Sequence, residues 1–334
     1  MTQQNKKGKT KDVSQKPQDS IYGPNAREST QRDAYAHKLI EIGGQYENVV
    51  IMDADLSLVS KTYGFKEHFP ERHMQIGIGE QNMIGIAAGV AETGMIPVVH
   101  SLAAFVVGRA FDQIRLSICY SNLNVKIVGL HAGVSLAPDG ATHQAMEDIA
   151  MMCSLPGMQV ISSADAQQTR DLLPQIIESP APAYLRLYFP KIPKTIEPGT
   201  STLGKIQVLR EGTDISLVAT GQLVYKTLLA ANELSRQGIS AEVLNVHTIK
   251  PLDRDTLISS LRKTGKGVVI EEHNIYGGLG SIVSTVMAEN HPVKMGFVNT
   301  NDRFGSTGLP EQVLTEYGLQ STDIVEKALT LISR

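Results

Sequence analysis

Short apolar runs alternate with helical stretches along most of the chain, and this alternation constrains the fold more than any other feature. In the first half these runs lie at Val49–Met52, Met74–Ile78, Ile96–Val99, Val125–Gly129, Met158–Ile161 and Tyr184–Leu187. Helical patterns lie around 80–93, 103–120, 143–153 and 165–178. Because strands that alternate with helices form parallel sheets covered on both faces, we predict a doubly wound α/β domain.

A second α/β alternation occupies the C-terminal half. Its strand-like runs lie at Ile206–Leu209, Ile215–Ala219, Ala241–Val246, Val268–Glu271 and Val293–Val298, with helical patterns near 222–237, 254–263, 279–289 and 310–333. Prolines and glycines among polar residues at 191–204 indicate an interdomain linker. Since 334 residues exceed the usual size of one core, we expect two doubly wound domains, 29–190 and 205–334.

Composition narrows the class of protein. Residues 1–28 are rich in lysine and nearly free of apolar side chains, which predicts a disordered, solubilising basic tail. The formal net charge of −3 argues against nucleic acid or an anionic membrane as the main partner. No apolar run reaches the roughly 18 residues that span a bilayer. Cys119 and Cys153 have no metal-binding spacing, so we expect a cytoplasmic protein without disulfides or a metal site of its own.

Polar side chains follow three of the predicted strands of the first domain. They are Asp53 and Asp55 after the first, Glu80 after the second and His131 after the fourth. Because ligands of doubly wound sheets bind beyond the carboxyl ends of the strands, these residues are the first candidates for a functional site.

Glu80 stands between an apolar run that ends in Gly79 and a helical pattern that begins near Met83. This position predicts a nearly buried carboxylate, which needs a hydrogen-bonding partner in the protein or in a ligand. The alternative is a glutamate that only favours the start of a helix through the helix dipole.

The segment from His131 to His143 leaves a buried strand with one histidine and enters a helical pattern with another, and Asp139 lies between them. Two histidines and one carboxylate on a loop at a strand end suit general acid and base chemistry. A metal site is the competing interpretation, but the twelve-residue spacing of the histidines fits no common zinc pattern.

The run Gly79-Glu80-Gln81-Asn82, the loop from His131 to His143 and the two-domain order together resemble the carboxyl-terminal half of a transketolase. The resemblance is closest to the split, two-chain form of that family. Deoxyxylulose phosphate synthases and the beta subunits of 2-oxo acid dehydrogenases are related, and Arg109-Ala-Phe-Asp-Gln113 is similar to the former. The resemblance implies a thiamine diphosphate pyrimidine-binding domain followed by a transketolase C-terminal domain.

The same resemblance implies roles for individual residues. Glu80 would hydrogen-bond N1′ of the aminopyrimidine and Phe105 would stack on that ring, although Phe105 could also be ordinary core. His131 and His143 would be catalytic and contact the donor sugar, and Arg32 would hold its phosphate unless it is a surface charge. The implied cofactor contacts are Glu80, Ile78, Phe105 and Arg109, and the implied substrate contacts are Arg32, Asp55, Ser57, His131, Asp139, His143 and Arg186.

Three departures from the family pattern fall at the phosphate end of the implied substrate site. Val59 stands where the family has serine, Phe189 follows Tyr188 where an arginine is expected, and Ala137-Pro138 replaces a Gly-Glu pair. These changes remove hydrogen-bond donors, so we expect a substrate that is unphosphorylated, differently charged or carrier-bound.

The chain contains no Gly-Asp-Gly motif for the Mg²⁺ that bridges the two phosphates of thiamine diphosphate. The resemblance therefore implies a partner, an amino-terminal subunit with the pyrophosphate-binding domain and the metal, in an α2β2 enzyme. The expected reaction moves a two-carbon ketol unit from a ketose or ketose phosphate to an aldose or other acceptor. The alternatives are the beta subunit of a 2-oxo acid dehydrogenase, and a noncatalytic subunit that keeps the fold.

Overall fold

The computed structural model describes residues 28–333. The predicted basic tail therefore lies outside the described residues, except for Glu28, which begins the first strand. The elements of the first half are β1 (Glu28–Thr30), α1 (Gln31–Gln45), β2 (Val49–Asp53), α2 (Ser57–Ser60), α3 (Tyr63–His68), β3 (His73–Gln75), α4 (Glu80–Glu92), β4 (Ile96–Leu102), α5 (Ala103–Gln113), β5 (Lys126–Leu130), α6 (Asp148–Cys153), β6 (Gln159–Ser162), α7 (Ala166–Glu178), β7 (Ala183–Arg186) and β8 (Lys191–Pro193).

The second half has the same alternating character. Its elements are β9 (Gln207–Arg210), β10 (Ile215–Ala219), α8 (Leu223–Arg236), β11 (Ala241–Asn245), β12 (Thr248–Lys250), α9 (Arg254–Thr264), β13 (Lys266–Ile270), α10 (Leu279–Asn290), β14 (Lys294–Val298), α11 (Pro310–Glu316) and α12 (Ser321–Ile332). Among the described residues, no helix combines the length and apolarity needed to cross a membrane.

The first large sheet has seven strands in the order β12-β6-β7-β5-β4-β2-β3. Its strands are parallel except β12, which comes from the second half of the chain and pairs antiparallel with β6. The register aligns Asp53 of β2 with His100 of β4, and Leu102 of β4 with Leu130 of β5. The carboxyl ends of these strands therefore meet at one edge, where the loops after β2 and β5 and the start of α5 come together.

The second sheet has five strands in the order β14-β13-β10-β11-β9, and β9 is its antiparallel member. One continuous apolar cluster joins the two sheets, since it contains Val50 and Val99 from the first half as well as Leu244, Val269 and Leu279 from the second. Each Å² of buried apolar surface stabilises a fold by about 25 cal/mol, so this shared core joins the two halves strongly. The predicted architecture of two doubly wound domains is confirmed.

Local differences from the predicted elements have physical reasons. The strand predicted to reach Ile78 ends at Gln75, because the chain turns at Gly77, whose φ is +82°. The helix predicted from 143 begins only at Asp148, since the loop before it pairs with itself. The predicted helix at 310–333 is two helices, separated by a turn at Gly318 with φ of +66°. Strand β12 was not predicted.

Candidate active site

Glu80 is the first residue of α4, and its side chain is only 4% exposed. The Ser101 hydroxyl donates a hydrogen bond to Oε1 over 3.2 Å. Nη1 of Arg109 lies 3.2 Å from both carboxylate oxygens. The buried carboxylate thus has a partner within the protein, supplied by α5.

Arg109 also packs on Phe105. Its guanidinium carbon lies 3.9 Å from the centre of the Phe105 ring, while 49% of the arginine side chain remains exposed. A buried carboxylate and an aromatic face therefore share one accessible corner. This donor set fits a flat ring that has a nitrogen to hydrogen-bond and a face to stack, which is the chemistry of an aminopyrimidine.

His143, at the end of the loop from His131 to His143, also contacts Phe105. Its ring meets the ring of Phe105 edge-on, with centroids 5.1 Å apart, and its Nδ1 lies 2.9 Å from the Thr142 hydroxyl. The structure therefore connects Glu80, Arg109, Phe105 and His143 by direct contacts, although these residues come from three separate segments of the chain.

His131 lies at the end of β5 and is nearly buried, at 4% exposure. Its backbone φ is +55°, an uncommon conformation for a residue with a side chain. Burial, together with the positive charge of Arg32 nearby, lowers the pKa of His131 to about 4. Its ring packs edge-on against Phe189 at 5.1 Å. The ring is thus neutral near pH 7, and among the described residues its buried Nε2 has no hydrogen-bond partner.

The loop between the two histidines closes on itself. The Gly133 amide donates to the Ala145 carbonyl over 2.8 Å, and the two residues form an antiparallel bridge. His131 and His143 therefore lie on the same closed loop, His131 before the paired Gly133 and His143 before the paired Ala145.

The remaining predicted site residues differ in their exposure to solvent. Asp55 is exposed in a left-handed conformation with φ of +62°, and Ser57 begins α2. Asp139 is exposed at the end of a short 3₁₀ turn, and Ile78 is 78% exposed. Arg32, in the first turn of α1, is partly buried, and its Nε has no hydrogen-bond partner among the described atoms. Asp55, Asp139 and Ile78 are thus exposed, whereas Ser57 and Arg32 are partly buried.

Arg186 is placed differently from its predicted role as a substrate contact. Its side chain is completely buried, and Nε donates to Asp148 Oδ2 over 2.7 Å. Its Nη2 donates to the carbonyls of Ala145 and Glu272, and Nη1 donates to the Tyr188 hydroxyl. Four of its N–H donors are therefore used inside the protein, and Arg186 stabilises the contact between the two halves. We do not propose it as a substrate contact.

Sequence reasoning named Asp53 but not its partners, and it missed a second buried polar cluster. Beneath the Asp55 loop, Asp53 accepts hydrogen bonds from Ser60, Thr62 and His73. Burial alone would raise the pKa of the Asp53 carboxyl, but the hydrogen bond from His73 and the other donors hold it below its usual value.

Beneath the loop from His131 to His143, the carboxylate of Glu272 accepts hydrogen bonds from the Ser135 amide and the Gln222 side chain. The only sequence signal for this cluster is the polar run Glu271-Glu272-His273 directly after an apolar strand. Within residues 28–333, no group of three or more His, Cys, Asp or Glu side chains is arranged to hold a metal ion.

Comparisons with known proteins identify the family of the chain. Residues 27–192 match the family model "Transketolase, pyrimidine binding domain", and residues 204–324 match "Transketolase, C-terminal domain". The chain is 42% identical over 304 residues to the "6-deoxy-6-sulfo-D-fructose transketolase subunit SqwH" of Clostridium sp. strain MSTE9, and the match covers 91% of this chain and 94% of that protein.

Two further relatives have the same extent. One of the subunits of the apulose-4-phosphate transketolase of Phocaeicola vulgatus is 34% identical, with 91% of this chain and 97% of that protein covered. A solved structure described as "Split gene transketolase, inactive beta4 tetramer" superposes with a TM-score of 0.85 at 42% identity, covering 91% of this chain and 98% of that chain. The chain therefore belongs to the transketolase family, as a subunit of the split form.

Proposed function

We propose that this chain is the pyrimidine-binding subunit of a thiamine diphosphate-dependent transketolase, which transfers a two-carbon ketol unit from a ketose or ketose phosphate to an aldose or other acceptor. The observation that carries the proposal is the corner formed by Glu80, Arg109 and Phe105, with His143 in contact with it. A buried carboxylate beside an aromatic face has an evident use if a nitrogen heterocycle binds there.

Thiamine diphosphate, when bound, supplies the carbon nucleophile and the electron sink for cleavage of the donor ketose. Glu80 would hold a proton at N1′ of the pyrimidine, and Phe105 would orient that ring. Arg109 pairs with Glu80 and keeps the buried carboxylate satisfied. Ile78, which is exposed in the turn before Glu80, would cover an edge of the cofactor.

The two histidines would handle the sugar. His131 is neutral near pH 7 because its pKa is lowered to about 4, so its ring can exchange a hydrogen bond with a hydroxyl without carrying a charge. His143 would move the proton of the hydroxyl beside the cleaved bond. Asp139, Asp55 and Ser57 would bind further hydroxyls, and Arg32 would meet an anionic group at the far end of the donor.

The donor sugar is inferred from the relatives and from Phe189. The related protein from Clostridium is named for a sulfonated fructose and the one from Phocaeicola for a phosphorylated apulose. Phe189 packs against His131 where the family has a cationic side chain, which favours a donor with fewer or weaker anionic contacts than a phosphate demands. A panel of 6-deoxy-6-sulfofructose, apulose 4-phosphate, fructose 6-phosphate and xylulose 5-phosphate, compared by kcat/KM, tests this choice.

The proposal includes a partner subunit with the pyrophosphate-binding domain and Mg²⁺, in an α2β2 assembly. It is supported by the absence of a Gly-Asp-Gly motif from the sequence and by the solved relative described as an inactive tetramer of beta chains. We expect this chain alone to be inactive. Mixing it with the partner, thiamine diphosphate and Mg²⁺ should produce ketol transfer from at least one donor of the panel.

The beta subunit of a 2-oxo acid dehydrogenase is the second candidate, since it would use the same fold and cofactor. The loop with two histidines favours the transketolase, because lipoyl transfer has no evident use for two groups that bind sugar hydroxyls. Dye reduction with a 2-oxo acid, in place of ketol transfer, would favour the second candidate. A noncatalytic subunit would show neither activity with any partner.

A further inference from the structure

The loop between the two histidines rests on the C-terminal half of the chain, and Glu272 is at the centre of that contact. Glu272 follows β13 and is completely buried. Its Oε1 accepts the Ser135 backbone amide over 2.6 Å, and its Oε2 accepts the side-chain amide of Gln222. Burial raises the pKa of the Glu272 carboxyl, and the charge of Arg186 together with the hydrogen bonds from Gln222 and Ser135 opposes that rise. Both oxygens of Glu272 therefore serve as acceptors in this contact.

The approach of the loop to Glu272 is so close that it needs a glycine. Gly133 has φ of +80°, and a Cβ atom at this position would collide with Oε1 of Glu272. The backbone between His131 and Ser135 therefore lies directly on the carboxylate.

Two further contacts fix the same loop to the C-terminal half. The side-chain amide of Gln144 donates to the carbonyls of Val134 and Ser306, over 2.8 and 2.9 Å. The Gly308 amide donates to the carbonyl of Ala137 over 3.2 Å. Glu272 is the ionisable group among these anchors, and it accepts the backbone amide of Ser135 inside the loop.

We propose that Glu272 is a positioning residue, which holds the His131–His143 loop in the conformation that binds the donor sugar. The inference rests on the proposed function for the identity of the donor. Glu272 acts through the Ser135 amide and touches no reacting atom. Glu80, Arg109 and Phe105 lie on α4 and α5 and meet the loop only through the edge-on contact of His143 with Phe105 among the contacts described above, so loss of Glu272 alters donor binding more than cofactor binding.

The first test is Glu272→Gln in the complete two-subunit enzyme. Glutamine has the same shape but one acceptor oxygen in place of two, so the Ser135 amide and the Gln222 side chain can no longer both donate to it, and the loop loses one of these contacts. We expect the donor KM to rise about tenfold, which corresponds to about 1.4 kcal/mol, while the dissociation constant of thiamine diphosphate stays within about twofold. The exchanged pair Gln222→Glu with Glu272→Gln restores an acceptor opposite a donor and should return KM to within about threefold of wild type.

Glu242→Gln is the matched control. Glu242 is also a buried carboxylate of the C-terminal half, but it lies on β11 of the second sheet and accepts hydrogen bonds from Ser260 and Lys263 of α9. It should lower the melting temperature without changing the donor KM. An unchanged KM in Glu272→Gln, or an equal rise in both variants, overturns the proposal. Should Glu272→Gln fail to fold, Glu272→Asp replaces it, because its shorter side chain draws the carboxylate away from the Ser135 amide, with an expected rise of about threefold in KM.

Hydrogen exchange of the full chain provides a readout that does not need activity. Peptides within 132–142 should exchange about tenfold faster in Glu272→Gln than in wild type, and at the wild-type rate in Glu242→Gln. Peptides of α4 should exchange at the wild-type rate in both variants. Unaltered exchange in 132–142 overturns the positioning role. If exchange changes as expected but the wild-type pair transfers no ketol unit, the positioning role stands and the proposed function fails.

Discussion

Glu80→Gln separates the chemical role of the carboxylate from its role in folding. Glutamine keeps the volume, and its Oε1 still accepts from Ser101 and from Arg109. The variant loses the ion pair and one hydrogen bond with Arg109. Because 49% of that arginine is exposed, water replaces much of this contact, and we expect the free energy of unfolding to change by no more than about 1 kcal/mol.

Activity should respond far more strongly than stability. A glutamine cannot hold a proton at N1′, and removal of a positioned acid or base lowers the rate about 10²–10⁴-fold. The assay is ketol transfer by the reconstituted enzyme at saturating thiamine diphosphate, with urea denaturation for stability. Glu92→Gln, at the exposed end of the same helix, is the control and should be fully active. Near-normal turnover of Glu80→Gln with cofactor bound would refute the reasoning.

Three further predictions concern stability and substrate. Arg186→Met should lower the free energy of unfolding by about 3–5 kcal/mol, because it leaves Asp148 buried and unpaired; adding Asp148→Asn should recover part of that loss in urea denaturation. Burial lowers the pKa of both His131 and His247 to about 4, below the roughly 6.5 of the unfolded state. The unfolded state therefore binds more protons than the folded state as the pH falls through this window. The free energy of unfolding should drop by about 2 kcal/mol per histidine between pH 7 and pH 5, and less steeply in His247→Gln. A free energy of unfolding that stays constant over this range contradicts both pKa assignments. Phe189→Arg should lower KM for xylulose 5-phosphate about tenfold, whereas KM for unphosphorylated xylulose stays constant, and an equal change for both sugars would remove the phosphate argument.

Residues whose roles depend on local pattern were predictable. An apolar run, two glycines and a following helix are sufficient to place Glu80 at a buried helix start, and the structure has it there. The position of His131 at the end of a strand likewise follows from the apolar run before it. The repeated alternation of strands and helices predicted the α/β architecture, because periodicity and turn residues are local signals.

Residues whose roles depend on distant partners were not predictable. Asp148 lies 38 positions before Arg186 in the sequence, and no local pattern shows that the two meet and bury each other. Strand β12 joins the sheet of the first half by pairing with β6, a contact that only tertiary packing decides. The same holds for Glu272, which meets Ser135 across 137 positions of sequence. Arg186, which the family resemblance implied as a substrate contact, is therefore buried against a partner that the sequence did not indicate.

The most direct test of the central claim, that this chain is one half of a thiamine diphosphate enzyme, is a calorimetric titration of thiamine diphosphate with Mg²⁺ into the purified chain, with and without the partner subunit. A diphosphate with its metal needs oxygen ligands and backbone donors that the proposal assigns to the partner. We therefore expect no tight binding to the chain alone, and strong binding together with ketol transfer once both subunits are mixed. Tight binding and turnover by the isolated chain would contradict the account.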